Sequence, residues 1–207
     1  MSCKSILFLV VMTTYLYAQV DRNVAKLVDP RDGKAYRAVR IGNLIWLAEN
    51  LNYEAKGSLC YNENTYNCTK YGRLYPAVSA ERICPVGWRL PTRQDWNALV
   101  QVAGDSSVAE KKLKATAGWI KSSNGTNELG FSALPGGYCY DDTVMGSDED
   151  GELNFNGIGE KGFWWSAGEE EIGVVALDNT LKFFEFEVYS CEAQGLFYSV
   201  RCVKESR

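Results

Sequence analysis

Residues 83–96 read ICPVGWRLPTRQDW, a stretch that sets one cysteine, two prolines, two tryptophans and a helix-start signal within fourteen positions. Pro91 precedes Thr92, whose hydroxyl is suited to accept from the amide three residues on. Asp95 stands at that position, favourably placed against the helix dipole. Trp96, Leu99, Val100 and Ala103 then mark one face of a helix predicted over about 93–103. Rigid residues and a linkable sulfur with no catalytic motif beside them read as scaffold. Pro85 and Pro91 fix the chain direction, Cys84 supplies an anchor, and Trp88 and Trp96 fill a junction.

Upstream of this stretch, two β-rich runs around Gly42-Asn43 predict a hairpin over residues 35–48, because a glycine-first pair suits a tight turn. The Asn- and Tyr-rich segment that follows reads as a loop closed by Cys60 and Cys68, and a short helix is expected near 75–82. Downstream, a weaker helical pattern runs from Val108 to Ala117 and stops at Gly118. Residues 123–168 are acidic and crowded with turn formers, which predicts loops laid over a small sheet. Strand alternation returns in Gly173 to Leu177, in Phe184, Phe186 and Val188 after an Asp178-Asn179 turn, and in a last strand from Leu196 to Val203. The fold class is α+β.

Lys4 and the apolar run Ile6 to Leu16, closed by the small residue Ala18, predict a secretory signal over residues 1–18 that is cleaved near Ala18. The run is too short to span a bilayer, which needs roughly 20 helical residues, and no later run approaches that length. No stable membrane insertion is therefore expected. A lead-in segment over 19–27 and one domain over 28–205 account for the rest. Loss of Cys3 leaves Cys60, Cys68, Cys84, Cys139, Cys191 and Cys202, an even set that predicts three disulfides in an exported chain. Spacing alone leaves fifteen pairings open. The chain has no histidine, which removes Ser-His-Asp, Cys-His and histidine-base chemistry and makes zinc a poor fit.

CPVGWRLPT at 84–92, YGRLYPAVSA at 71–80, FSALPGGY at 131–138, GFWWSA at 162–167 and SVRCVKE at 199–205 occur in order after GKAYRAVRIGNLIWLAENL. Together they resemble the Fibrobacter succinogenes major paralogous domain family over about residues 28–205. The resemblance implies a C-type-lectin-like fold: two or three short helices on a small twisted antiparallel sheet, with long loops and disulfide bracing. It also implies that Cys84 pairs with Cys202, which leaves Cys139 and Cys191 for each other, and that the source is bacterial.

Residues 141–171 hold ten Asp or Glu against one Lys, a local net of −9 in a chain whose total is −4. Such a patch repels phosphates, so no nucleic-acid partner is expected. Asp148, Asp150 and Glu152 alternate in an oxygen-rich run suited to calcium, although the spacing is not that of an EF-hand and the sugar-holding calcium motifs of lectins are missing. Sugar recognition needs aromatic faces bordered by carboxylates and amides. Tyr138, Tyr140, Asp141, Asp142, Asn154, Asn156 and Trp164 have that chemistry. Against a role for Trp164, strand alternation puts one of Trp164 and Trp165 in the core and the other under loops. The expected function is that of an exported, non-enzymatic module, secreted, periplasmic or on the cell surface, that binds a glycan or a surface protein and needs no cofactor. The alternatives are a display scaffold without a small ligand, or an enzyme of the kind that the formylglycine-generating fold resembles.

Overall fold

The structure is a computed structural model that describes residues 25–104, 106–120, 123–142, 152–168, 172–177, 183–189 and 195–206. The expected signal peptide, the Asp178-Asn179 turn, Asp148, Asp150 and Cys191 lie outside these residues. In chain order the elements are β1 Ala25–Val28, β2 Ala35–Ile41, β3 Leu44–Leu47, a 3-10 turn Tyr61–Glu63, α1 Thr65–Tyr71, β4 Leu74–Pro76, α2 Ala77–Ala80, α3 Arg93–Ala103 and α4 Ser106–Leu113. There follow β5 Gly136–Asp141, β6 Leu153–Ile158, β7 Gly162–Ser166, β8 Ile172–Leu177, β9 Phe183–Tyr189, β10 Leu196–Ser199 and β11 Val203–Glu205. The fold is α+β, mostly sheet with few helices.

Two sheets form among the described residues. One has the order β1-β2-β3-β11, and the other β4-β10-β5-β7-β8-β9 with β6 paired to β5. The β2–β3 hairpin pairs Ile41 with Leu44, so Gly42 and Asn43 alone make the turn. Gly42 has φ +61°, a conformation that costs glycine little and a β-branched residue much.

The stretch 83–96 touches both sheets. Cys84 is bonded to Cys202, and Arg89 and Val203 exchange backbone hydrogen bonds beside β11. Pro91 O accepts from the Ala167 amide just past β7. Helix α3 starts on a capping box: Thr92 Oγ1 accepts from the Asp95 amide at 3.2 Å, and Asp95 Oδ2 accepts from the Thr92 amide at 2.7 Å. Burial raises the Asp95 pKa, but the Arg89 guanidinium and the Thr92 donors outweigh it and hold the carboxyl below its usual range.

The core lies on both faces of the sheets. Trp46, Trp96, Leu99, Leu113, Phe131 and Trp164 fill the helix side. Tyr36, Leu47, Tyr75, Trp165, Val174 and Tyr198 fill the other, with Trp88 packed against them half-buried. A smaller cluster holds Tyr61, Leu74 and Cys139.

Several expectations change. Residues 123–168 are more than loops, since they contain β5, β6 and β7, with Gly136 and Gly162 opening the first and last of these. The segment closed by Cys60 and Cys68 includes the start of α1, which Asn64 caps by accepting from the Tyr66 amide. The helix expected near 75–82 is a short strand followed by α2, because Pro76 has extended φ/ψ and starts the helix only after itself. The last strand breaks into β10 and β11, which belong to different sheets.

Two disulfides, Cys60–Cys68 and Cys84–Cys202, are present among the described residues. The expected partner of Cys139, Cys191, lies outside the described residues. Among the described residues Cys139 is a free, fully buried thiol that packs with Leu74 and Tyr61, in apolar surroundings where a thiol behaves as a small hydrophobe.

Candidate functional site

Strands β5 and β6 run antiparallel, with Tyr138 opposite Asn156, Tyr140 opposite Asn154 and Asp141 opposite Leu153. Side chains alternate along a strand, so Tyr138, Tyr140 and their two amide partners share one face while Cys139 and Phe155 share the other. Four of the residues singled out from the sequence, Tyr138, Tyr140, Asn154 and Asn156, are thus neighbours for a reason of register. The Tyr138 and Tyr140 rings are stacked at 27° with centroids 6.4 Å apart. Beside them, Asn154 Nδ2 donates to Asp142 Oδ2 at 2.5 Å and to the Glu152 carbonyl at 3.1 Å. The Asp141 amide donates to Gly195 O, which ties the end of β5 to the start of β10.

Both tyrosines are half-buried, Asn154 and Asp142 likewise, and Asn156 is exposed. A half-buried ring with a wet edge can stack on one side and hydrogen-bond at its rim. Half-buried Phe163 extends the same aromatic surface at 5.0 Å from Tyr138, and the buried Tyr198 ring backs it at 6.1 Å. Sequence reasoning passed over both. The signal for Phe163 was its alternation with Trp164 in GFWWS, but which strands stand beside β5 is a matter of long-range pairing that no local pattern carries.

Trp164 is corrected. It is fully buried against Trp96, and its Nε1 donates to Asn50 Oδ1 at 2.8 Å. Trp165 is also fully buried and donates to Tyr75 O at 2.7 Å. β7 is an inner strand packed on both faces, so its alternation sends the two indoles into two cores rather than exposing either. Neither ring is available to a ligand.

Glu152 is exposed. Among the described residues, no group of three or more His, Cys, Asp or Glu is arranged to hold a metal ion. Burial pushes the Cys139 thiol up to about 12, which keeps it protonated and poorly nucleophilic at neutral pH. No helix among the described residues is long and apolar enough to cross a membrane.

A second polar grouping lies where β10 crosses to β11. Arg201 is fully buried and donates through Nε and Nη2 to Asn50 Oδ1 at 3.1 and 2.7 Å, through Nη1 to Leu47 O at 3.2 Å and to Phe131 O, and through Nη2 to Ser132 O at 3.3 Å. Asn50 in turn donates to Tyr71 O at 2.8 Å and to Ser199 Oγ at 3.3 Å. Burial lowers the Arg201 pKa to about 9, so the guanidinium stays charged at neutral pH. Every polar atom of this grouping points at protein.

Compared with known proteins, the chain matches a family model described as the Fibrobacter succinogenes major domain over residues 39–204. No curated protein and no solved structure matches it.

Proposed function

Because the chain belongs to the Fibrobacter succinogenes major domain family, we propose that it is an exported, non-enzymatic binding module of C-type-lectin-like architecture whose β5–β6 face recognises a glycan. One observation carries the reading: cross-strand register sets two half-buried tyrosines against two asparagines, one of which donates to the Asp142 carboxylate. Tyrosine rings offer flat apolar faces to pyranose C–H groups, and amides and carboxylates accept and donate to hydroxyls around the rim. Export rests on the apolar run closed at Ala18 and on two disulfides, which persist in oxidising compartments. Support for the lectin-like architecture comes from few helices over a mainly antiparallel sheet and from a bridge that ties the lead to α3 to the final strands. Plant-wall polysaccharide is the natural first ligand for such a module by analogy of setting.

The test is retention of the purified chain, without residues 1–18, on insoluble cellulose and xylan and on a glycan array, beside the Tyr140→Ala variant. Retention of the wild type with about a tenfold loss in the variant, roughly 1.4 kcal/mol of binding, is expected. Equal behaviour of both proteins and a charge-matched control would overturn the reading.

A further inference from the structure

Opposite in character to the acidic 141–171 region, a groove of about 540 Å3 opens beside β2, the segment after β3, and α1. Its lining includes Lys34, Arg37 and Lys70 against a single carboxylate, Glu49. Lys34 also meets Asp32 at 3.3 Å, and Arg37 meets Glu49 at 2.7 Å. Among the described residues Lys70 forms no ion pair; its ammonium lies 4.8 Å from the centre of the Tyr71 ring. Asn50 forms part of the groove wall, and behind it stands the buried Arg201 guanidinium, which has no carboxylate among its hydrogen-bond partners. Arg201 is close enough to feel the charges of Glu49 and Arg37. Three cations of the lining, Lys34, Arg37 and Lys70, therefore meet Glu49 of the lining and the neighbouring Asp32 around this concavity, in a chain whose total charge is −4. Low-dielectric walls focus such a field into the opening.

The geometry points to a second binding site, one for an anionic oligosaccharide whose carboxylate or sulfate groups meet Lys34, Arg37 and Lys70. A sugar fits better than an acidic peptide for a structural reason. β2 pairs with β1 over Ala35–Ala38 and with β3 over Ala38–Ile41, and the Ala48 amide donates to Arg37 O, so the unpaired flank at the groove is the β3 side of Ala35 and Tyr36, too short an edge for an extended peptide to add a ladder of main-chain hydrogen bonds. Thr69 and Asn52 in the lining supply neutral polar groups for hydroxyls, and Tyr66, one turn before Lys70 on α1, holds an exposed ring. The wall is firm where Asn50 meets the chain turn at Gly72. There φ is +80° and an added Cβ would stand 2.7 Å from Asn50 Cβ, so only glycine allows the approach.

Calorimetry on the full chain after removal of residues 1–18 tests this. The probes are tetragalacturonate, a sulfated tetrasaccharide, neutral galactotetraose and a poly-aspartate peptide. Tetragalacturonate or the sulfated sugar should bind at least about tenfold more tightly than the neutral sugar, with binding weakened by salt as exposed charges are screened. Lys34→Ala combined with Lys70→Ala, both at exposed positions that leave the core untouched, should remove that preference, while Tyr140→Ala should leave it intact. The idea is overturned by equal binding of neutral and anionic sugars, by an unchanged preference in the double variant, or by tighter binding of the peptide. Since Tyr140 and Lys70 report on different faces, failure here is separable from failure of the β5–β6 reading.

Discussion

The β10–β11 crossing and the β5–β6 face are built from much the same chemistry, amides and a charged group beside aromatic rings, and they end in opposite roles. At the crossing, Asn50 and Arg201 are buried and their donors are spent on Leu47, Phe131, Ser132, Tyr71 and Ser199. On the face, Asn154 bonds one carboxylate and one carbonyl, Asn156 is exposed, and both tyrosines are only half-buried. A buried polar group that is left unpaired costs about 1–3 kcal/mol, so the crossing is committed to structure, whereas groups already in contact with water change partner cheaply. Burial, more than residue type, separates a brace from a site.

The sharpest way to break that contrast is through the sulfur that holds the crossing. Cys84–Cys202 closes a separation of 118 residues and Cys60–Cys68 one of 8. In the chain-entropy account these stabilise by about 5 and about 2.6 kcal/mol. Urea unfolding should therefore show Cys84→Ser losing clearly more than Cys60→Ser, and the reverse order would mean that the crossing is not the mechanical centre of the fold.

Arg201→Leu is the next largest change. It strips donors from three carbonyls and from Asn50 without opening the site to water, and a loss of about 3 kcal/mol is expected by the same denaturant titration. A loss under about 1 kcal/mol would show that the grouping is ornamental.

Helix α3 gives a smaller, pH-dependent effect. Thr92→Ala should cost about 1 kcal/mol at neutral pH. The carboxyl of Asp95 titrates lower in the folded chain than its usual 3.8, so its contribution is fully present above that value and fades as pH falls through the folded pKa. The stability gap between wild type and Asp95→Asn should narrow in thermal melts taken between pH 4 and pH 2, values chosen to bracket that titration. A gap that widens on acidification would reverse the sign.

Smallest of all is the effect of Tyr140→Ala on stability, about 0.5 kcal/mol, since its ring is only half-buried. Its loss should register in glycan retention instead. A variant that unfolds the protein would place the face with the crossing and erase the distinction between them.

Some of this was legible in the chain. Helix α3 and its cap were, because a capping box is written in four consecutive residues and the apolar stripe follows at helical spacing. The hairpin at Gly42-Asn43 and the alternation of β8 were equally local. The grouping of Tyr138, Tyr140, Asn154 and Asn156 was proposed from chemistry alone, and register then supplied the reason for it. Trp164 failed for the complementary reason: in GFWWS nothing local says that both faces of β7 are covered. The groove cations are separated by up to 36 positions, and no motif joins Lys34 to Lys70.

By itself the sequence determined the class of fold, the family, the helix that follows ICPVGWRLPTRQDW, and the absence of histidine chemistry, since composition and short-range periodicity act within a few residues of chain. Only the tertiary structure decided that the last strand serves two sheets, that Cys139 is a buried thiol, and that one tryptophan goes to each core. Those outcomes depend on which distant strands pair and on what each face meets, and pairing is settled by packing across the whole chain.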